Sequence, residues 1–261
     1  MSDTKHVVLI HGSWSRGEQL AAARAAFEER GYTVYAPTLR HHELPLHEGA
    51  MKIASLSLRD YTDDLAAFVD SLSSPPLLVG HSMGGLLVQL VAARTRQAGV
   101  VAACPAPAAG IFGTTLANLR MSTGYFLRPR PWAKPVYPPK FERFRRWVAP
   151  ALTEDVAREV YSELVGESGR AYCEILLASL RLSDATVVDF AAVSTPVLVL
   201  GAECDRIVPS GVVRQTAARY RHGTSVEIPS ADHMVFSGAA LPVTMGHIDD
   251  WIAKNRVLSM A

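Results

Sequence analysis

Short apolar runs alternate with amphipathic stretches along most of the chain, and this alternation predicts a sheet covered by helices. We expect strands at 6–10, 32–36, 77–79, 100–103, 196–200 and 224–228, and the apolar runs at 6–10 and 77–79 are typical of buried strands. We expect helices where apolar residues recur three or four positions apart, at 17–30, 58–72, 83 to about 95, 209–219 and 241–254. Strands that alternate with helices are typical of an α/β fold, here a six-stranded, mostly parallel sheet flanked by helices.

Two stretches depart from this alternation. Residues 40–57 are polar and His-rich, which indicates a loop. Residues 108–190 have helical and loop-like spacing without a convincing buried strand. We therefore predict a core domain made of residues 1–107 and 191–261, with residues 108–190 forming a helical cap inserted over the strand ends.

Composition narrows the classes of partner and compartment. The 261 residues are 49% hydrophobic and 20% charged, and the net charge of +1 gives no general attraction to nucleic acid. No apolar run approaches the ~20 residues of a membrane span, and the first residues lack the pattern of a signal peptide. The three cysteines lie far apart, without metal-ligand spacing. We expect a cytoplasmic protein with no cofactor, no metal, no nucleic-acid partner and no stable membrane insertion; a homo-oligomer is compatible with the sequence.

The strongest local motif is the sequence Gly-His-Ser-Met-Gly at residues 80–84, directly after a predicted strand and before a predicted helix. A Ser on so sharp a turn sits in strained backbone, so the residues two before and two after it have almost no room for side chains. Gly80 and Gly84 satisfy that demand. The turn lifts the Ser82 hydroxyl clear of the sheet, beside the first N–H groups of the helix. An ordinary Gly-rich turn with a surface Ser is the alternative, and the flanking strand and helix argue against it.

Nearly the whole chain resembles the α/β-hydrolase family. The residues that carry the resemblance are the 80–85 motif, His11-Gly12 after the first strand, Asp205 within residues 201–209, and His233 after the last strand. The order Ser, acid, His, with a cap before the acid, is that of the lipases and esterases of this fold. The sequence departs from the family in one respect, since the antiparallel strands that often precede the first parallel strand are absent. This indicates a compact variant.

The resemblance implies a catalytic triad. Ser82 would be the nucleophile, His233 its general base, and Asp205 the acid that orients His233. Two other histidines are rivals for the base, but His222 precedes a strand and His247 lies inside the last predicted helix. Neither follows the carboxyl end of a strand, where parallel sheets bind their ligands.

Other polar side chains near these positions have weaker claims. Glu203 is the second choice for the acid, whereas Asp232 is too close in sequence to His233 to reach its ring. His81 should point away from the neighbouring hydroxyl, and we interpret it as structural. We interpret His11 in the same way, as a hydrogen-bonded structural residue.

The resemblance also implies an oxyanion hole made of backbone N–H groups. The expected donors are Met83 and Ser13, the latter being the residue after His11-Gly12. Trp14 is the alternative second donor, or else a wall of the acyl pocket. Trp14 and Met234 are the expected pocket residues.

Within the predicted cap, residues 127–147 are basic, aromatic and rich in proline. Such a segment could meet an anionic substrate or a lipid surface. We favour a solvated cap edge whose aromatic side chains pack onto the core. Thr153 is predicted to cap a following helix, whose apolar residues would roof the pocket.

These features predict a serine hydrolase that acts through an acyl-enzyme on a small to medium, apolar carboxylic ester, thioester or lactone. Its partner would be a small-molecule ester-type substrate. Rival reactions on the same site are C–C bond hydrolysis, cyanohydrin lysis and cofactor-free oxygenation, and a slow-turnover small-molecule receptor is a rival of another class. Haloalkane dehalogenases and epoxide hydrolases resemble one another in placing Asp where this chain has Ser82, which argues against their chemistry.

Overall fold

A six-stranded parallel sheet forms the centre of the computed structural model, which describes residues 5–113 and 115–257. The strands are β1 (His6–Ile10), β2 (Thr33–Tyr35), β3 (Leu77–His81), β4 (Gly99–Ala103), β5 (Val197–Ala202) and β6 (Gly223–Ile228). They lie in the order β2-β1-β3-β4-β5-β6, and every neighbouring pair is parallel. The predicted fold class is confirmed, with a sheet that is parallel throughout.

Helices follow most of the strands. They are α1 (Ala21–Glu28), α2 (Leu46–Ile53), α3 (Leu58–Asp70), α4 (Met83–Ala92), α5 (Leu116–Phe126), α6 (Phe141–Trp147), α7 (Glu154–Ser162), α8 (Gly169–Leu176), α9 (Ser210–Ala217) and α10 (Ala240–Asn255). Short 3-10 turns lie at Gly17–Leu20, Pro131–Ala133, Ala178–Leu180, Asp184–Thr186 and Phe190–Ala192. The predicted helix at 17–30 therefore begins as a 3-10 turn, and the helix after β3 ends at Ala92, a few residues earlier than expected.

The sheet buries a different apolar cluster on each face. Alternate residues of β1 point to opposite faces, with Val8 and Ile10 in one cluster and Val7 and Leu9 in the other. The first cluster is completed by α3, α4 and α9, and the second by α1 and α10. Burying each large apolar side chain stabilises the fold by about 1.5–3 kcal/mol, which explains why the central strands are apolar on both faces.

The prediction of a loop over residues 40–57 is wrong, because α2 lies within it. The helix begins after Pro45 and buries Ala50 and Ile53. Its middle residue, Gly49, is a poor helix former, yet a side chain there would meet the carbonyl oxygen of His41 at 2.7 Å. The helix is thus fixed by packing against its own preceding loop, which local propensity does not reveal.

The chain between β4 and β5 contains α5 to α8 and forms an apolar cluster of its own around Phe144 and Val148. A single antiparallel bridge also pairs Val136 with Glu167. Thr153 stands at the N-cap of α7, but the prediction that it caps the helix is wrong for its side chain, which makes no capping hydrogen bond.

The basic aromatic segment 127–147 divides into two parts. Phe144 is 2% exposed, as expected for an aromatic side chain that packs inward. Trp132 is 55% exposed, so the expectation that the aromatic side chains pack onto the core is wrong for this residue, whereas Leu127, 81% exposed, agrees with a solvated edge. Within the described residues, no helix combines the length and the apolar character needed to cross a membrane.

Candidate active site

Ser82 occupies the sharp turn between β3 and α4. Its φ of 56° lies in the left-handed region, which costs a residue with a side chain about 1–3 kcal/mol. Backbone hydrogen bonds on both sides hold the turn: the Ser82 N–H donates to the Ala103 carbonyl at 2.9 Å, and the Ala106 N–H donates to the Ser82 carbonyl at 2.9 Å. The neighbouring strand β4 therefore imposes the strained conformation that presents the hydroxyl.

The two glycines of the motif are required by close backbone contacts. A Cβ atom on Gly80 would lie 2.1 Å from the Gly84 carbonyl oxygen, and one on Gly84 would lie 2.1 Å from the Ile10 carbonyl oxygen. No real Cβ approaches an oxygen so closely. The turn can close on itself and pack against β1 only because both positions lack side chains.

We expect Gly80→Ala to destabilise the protein by about 3 kcal/mol or more, because the added methyl group must displace the backbone of the turn. Urea unfolding followed by circular dichroism would measure the change. Gly246→Ala is the matched control, since Gly246 is an exposed residue of α10 with nothing within 4 Å of an added Cβ. That variant should gain up to about 1 kcal/mol from helix propensity. Equal stability of the Gly80 variant and the wild type would contradict the packing argument.

Asp205 and His233 form a buried hydrogen-bonded pair beyond the carboxyl ends of β5 and β6. His233 Nδ1 lies 2.8 Å from Asp205 Oδ2, and their side chains are 5% and 0% exposed. The other carboxylate oxygen, Oδ1, accepts hydrogen bonds from the N–H groups of Ile207 at 2.7 Å and Val208 at 3.0 Å. The Asp205 carboxylate is thus held in one orientation by its own loop.

The charges of this pair stabilise each other. Burial alone would raise the pKa of Asp205, but the His233 ring and the two backbone N–H groups lower it overall. Burial alone would lower the pKa of His233, but the Asp205 carboxylate raises it overall. The site therefore favours an ionised Asp205 beside a histidine that readily holds a proton.

Ser82 and His233 line the same cavity, and no direct hydrogen bond joins them. Such hydrogen bonds are often long in unliganded sites and shorten when substrate binds. The ring of His81, next to Ser82, is hydrogen-bonded to the backbone of His233. Its Nε2 donates to the His233 carbonyl oxygen at 2.7 Å. Burial, with the neighbouring His233, lowers the pKa of His81 to about 3, so His81 stays neutral and supports the His233 loop.

The rival candidates lie elsewhere or have other partners. Glu203 is exposed and accepts a hydrogen bond from the Ser230 N–H at 2.8 Å. Asp232 is buried and accepts from the N–H of Ala151 at 2.6 Å and of Met234 at 2.9 Å. It joins the His233 loop to the chain between β4 and β5. Neither His222 nor His247 is among the described residues that line the cavity.

The loop after β1 is fixed by a buried histidine. The Leu39 N–H donates to His11 Nε2 at 3.0 Å, so the ring proton is on Nδ1, which donates to the Gly12 carbonyl oxygen at 2.9 Å. Burial, with help from His42, lowers the pKa of His11 to about 3, which keeps this tautomer neutral. In a trans peptide the C=O and N–H groups point in opposite directions, so fixing the Gly12 carbonyl also aims the Ser13 N–H.

The structure distinguishes Ser13 from Trp14 as a backbone donor. The Trp14 N–H already faces Glu167 Oε2 at 3.4 Å. Within the part of the chain that the structure describes, the Ser13 N–H has no hydrogen-bond partner, and Met83 is the first residue of α4, where N–H groups lack intrahelical acceptors. Both Ser13 and Met83 line the cavity beside Ser82.

The cavity itself is mainly apolar. The volume within the cavity that the centre of a water molecule can reach is about 150 Å³. Both Trp14 and Met234 are among the residues that line it. Further apolar walls come from the 3-10 turn after β1, from α7 and the residues after it, from α8 and from the loop after β6: Leu20, Val160, Leu164, Ile175, Leu176 and Phe236. None of the described residues that line it is Asp, Glu, Lys or Arg. An apolar, uncharged molecule is the kind of ligand that fits such walls.

Two neighbours of the site were missed by the sequence analysis. Cys104, one of the three cysteines that lack metal-ligand spacing in the sequence, is buried and contacts Asp205, and ligand atoms of Cys104, Asp205 and His233 lie within 4.8 Å of one another. A metal there would require a thiolate, whereas burial and the Asp205 charge raise the pKa of the Cys104 thiol. A hydrogen-bonded group fits these residues better than a metal centre. The second neighbour is Glu167, beneath Trp14; neither residue has a sequence motif that could have revealed its place.

Sequence comparison matches the chain to a known family and to a relative of known activity. A model of the alpha/beta hydrolase family matches residues 7–241. A pyrethroid hydrolase from Sphingobium wenxiniae is 33% identical over 86 residues, which cover 33% of this chain and 30% of that enzyme. The chain thus aligns with less than a third of that relative.

Solved structures of similar shape cover nearly the whole chain. A pyrethroid hydrolase from Sphingobium faniae has a TM-score of 0.68 at 20% identity, covering 96% of this chain and 98% of that one. A monoacylglycerol lipase from Paleococcus ferrophilus has a TM-score of 0.69 at 20% identity, covering 97% and 96%. A methylesterase from Arabidopsis has a TM-score of 0.69 at 14% identity, covering 95% and 98%. At these identities the likeness is one of fold.

Proposed function

The chain belongs to the alpha/beta hydrolase family, and from that membership we propose that it is a serine hydrolase acting on a small to medium, apolar carboxylic ester, thioester or lactone. The observation that carries this proposal is the hydrogen-bonded Asp205–His233 pair, which reaches the same apolar cavity as the strained Ser82. The relatives described above are named as hydrolases, a methylesterase and a lipase, which supports an ester substrate.

Acylation begins with the neutral His233 ring. His233 takes the proton of the Ser82 hydroxyl as its oxygen attacks the substrate carbonyl, and Asp205 stabilises the imidazolium that forms. The negative charge that develops on the carbonyl oxygen is received by the N–H groups of Ser13 and Met83. His233 then gives its proton to the leaving alcohol or thiol, and the acyl group remains on Ser82.

Deacylation repeats these steps with water as the nucleophile. His233 takes a proton from the water, whose oxygen attacks the acyl carbonyl, and the same two N–H groups stabilise the second tetrahedral intermediate. His233 returns the proton to the Ser82 oxygen as the acid is released. No step requires a cofactor.

The walls of the cavity favour a neutral acyl group. Burying an unpaired charge against apolar walls is costly, and the described lining offers no ionised partner other than the site itself. Cyanohydrin cleavage would release a cyanide anion, and no Lys or Arg among the described lining residues could receive it. Ester cleavage is favoured over this reaction by the names of the relatives, which include a methylesterase and a lipase. We propose that residues 108–190 act as a cap, since Val160, Leu164 and Leu176 belong to these walls.

A series of p-nitrophenyl esters of increasing acyl length tests this proposal. The wild type should hydrolyse them, and Leu164→Ala should move the preferred acyl chain to a greater length, because Leu164 lines the cavity and its loss enlarges the pocket. Each methylene in such a pocket changes discrimination by about 1–3 kcal/mol. Leu182→Ala is the matched control, since Leu182 is 71% exposed on the same insertion. No turnover of any ester by the wild type would refute the proposed function, and an unchanged profile in Leu164→Ala would refute the pocket.

The pH dependence of kcat/KM should report the His233–Asp205 pair. Only the neutral His233 ring can act as base, so activity is lost as pH falls through the pKa of His233. Because Asp205 raises that pKa above the ordinary value of 6.5, the midpoint of the profile should lie above pH 6.5. Nuclear magnetic resonance of the His233 ring should give the same midpoint, and a lower one in Asp205→Asn. A profile already at its plateau at pH 6.5 would contradict this assignment.

A further inference from the structure

We propose that Glu167 is a positioning residue for the oxyanion loop, residues 12–14: its buried carboxylate holds the Trp14 N–H and so keeps the Ser13 N–H directed at the reacting carbonyl. The inference rests on the proposed function, because it concerns how this chain stabilises the charge that ester cleavage creates. Glu167 lies on the insertion between β4 and β5, remote in sequence from the loop that it supports.

The Glu167 side chain is fully buried and surrounded by hydrogen-bond donors. Its Oε1 accepts from the Tyr61 hydroxyl at 3.2 Å and from the Ser168 N–H at 2.7 Å. Its Oε2 accepts from the Trp14 N–H at 3.4 Å and from His42 Nε2 at 3.4 Å. Each oxygen faces one backbone N–H, from Ser168 or from Trp14, and a backbone N–H can only donate, so both oxygens must accept. A carboxylate meets this demand, whereas an amide would turn its NH₂ toward a donor.

His42 supplies the counter-charge that makes a buried carboxylate tolerable. Its Nδ1 lies 3.3 Å from the Arg40 carbonyl oxygen while Nε2 faces Glu167, so both ring nitrogens donate when the imidazole is protonated. Burial alone would lower the pKa of His42, but the Glu167 carboxylate raises it overall. The side chains of His42 and Glu167 are both fully buried. A buried charge without its partner is strongly destabilising.

Backbone bonds bring Glu167 to this position and fasten Trp14 from several sides. The Val165 N–H donates to the Trp14 carbonyl at 2.8 Å, and Trp14 Nε1 donates to the Val136 carbonyl at 3.2 Å. Val136 in turn pairs with Glu167 through two backbone bonds of 2.9 Å. Residues 165–167 therefore form a strap across Trp14.

The strap maintains a strained conformation. Trp14 has a φ of 62°, in the left-handed region, which a Trp adopts only when its surroundings enforce it. Ser13 lies between this residue and the Gly12 carbonyl that His11 holds. The peptide groups on both sides of Ser13 are thus held, and loss of the Glu167 carboxylate would leave the Trp14 N–H, next to Ser13, without its acceptor. Preorganised donors of this kind lose their effect when they are misaligned by a fraction of an ångström to an ångström.

Glu174 provides a matched control. It is also a buried carboxylate on the insertion, 8% exposed, and accepts hydrogen bonds from Ser57 Oγ at 2.8 Å and the Leu58 N–H at 2.9 Å. It supports the start of α3 and makes no hydrogen bond with residues 12–14. A purely structural role predicts the same outcome for both carboxylates, whereas a positioning role separates them.

The experiment compares Glu167→Gln and Glu174→Gln in p-nitrophenyl ester kinetics at a temperature well below both melting temperatures. Removing an oxyanion donor costs about 10²–10³-fold in kcat, so a misaligned donor in Glu167→Gln should cost about 10–100-fold, with KM changed by less than about threefold. Affinity for a trifluoromethyl ketone, whose adduct carries the oxyanion, should fall by the same factor as kcat/KM. Glu174→Gln should lose stability and keep its kcat.

Glu167→Asp covers the case in which the Gln variant does not fold. It keeps the charge near His42 but withdraws the carboxylate from Trp14, and we expect at least about a fivefold loss in kcat. Wild-type kcat in a folded Glu167 variant, or an equal loss in Glu174→Gln, would overturn the positioning role while leaving ester cleavage intact. A wild type that neither cleaves esters nor reacts at Ser82 would overturn both proposals.

Discussion

Ser82→Ala is expected to lose about 10⁴-fold or more in kcat and to remain folded. The substitution removes the oxygen that forms the acyl bond in the proposed mechanism, yet Ala keeps the Cβ that Ser already carries at this strained position. The backbone bonds of the turn do not involve the hydroxyl, so they persist. The activity that remains would come from substrate binding and from the N–H groups of Ser13 and Met83.

Covalent labelling makes this test specific. A fluorophosphonate should modify Ser82 alone, as mass spectrometry of the digested protein would show. Ser237→Ala is the control, because Ser237 also lines the cavity but does not lie on the turn. It should keep both labelling and turnover. Labelling of another serine, or full activity in Ser82→Ala, would refute the proposed nucleophile.

Asp205→Asn should lower kcat by orders of magnitude, on the order of 10⁴ at the upper end. Asn removes the charge that stabilises the protonated His233 ring, and its amide can donate to Nδ1 and so favour the wrong tautomer. The N–H groups of Ile207 and Val208 can still be satisfied by the amide oxygen, so the loop should keep its shape. Steady-state kinetics with the same ester would measure the loss.

Glu203→Gln is the matched control for the acid. Its carboxylate is exposed and bonds to the Ser230 N–H, which an amide oxygen can accept equally well. Little change in kcat is expected. A large loss in Glu203→Gln with a small one in Asp205→Asn would assign the role of the acid to Glu203.

The sequence predicts those parts of the fold that depend on local signals. Strand β1 lies at His6–Ile10, as predicted, because a strand buried on both faces favours consecutive apolar residues, here Val7 to Ile10. The turn at Ser82 is equally local, since its two glycines are dictated by contacts within a few residues and with the adjacent strand. The strand ends then bring Asp205 and His233 together, as the topology of a parallel sheet requires.

Features that depend on distant contacts could not be predicted in this way. Helix α2 is stabilised by packing on its preceding loop, although Gly49 weakens its local propensity. Glu167 looks like any surface glutamate in the sequence, and only the fold surrounds it with donors from the loops after β1 and β2 and from α3. Cys104 likewise acquires its place beside Asp205 through the pairing of β4 with β5.

The strap formed by residues 165–167 has a consequence for redesigning this protein by exchange of segments. Val165 and Glu167 bind Trp14, and Val136 closes the bridge from the other side. A graft that replaced the whole insertion would remove these bonds together with the old pocket walls. A graft limited to residues 137–164 would keep them and would still exchange Phe144, Val160 and Leu164, which line the cavity. Residues 137–164 are therefore the segment to exchange when the substrate range is to be altered, because this exchange leaves Val136 and the strap in place.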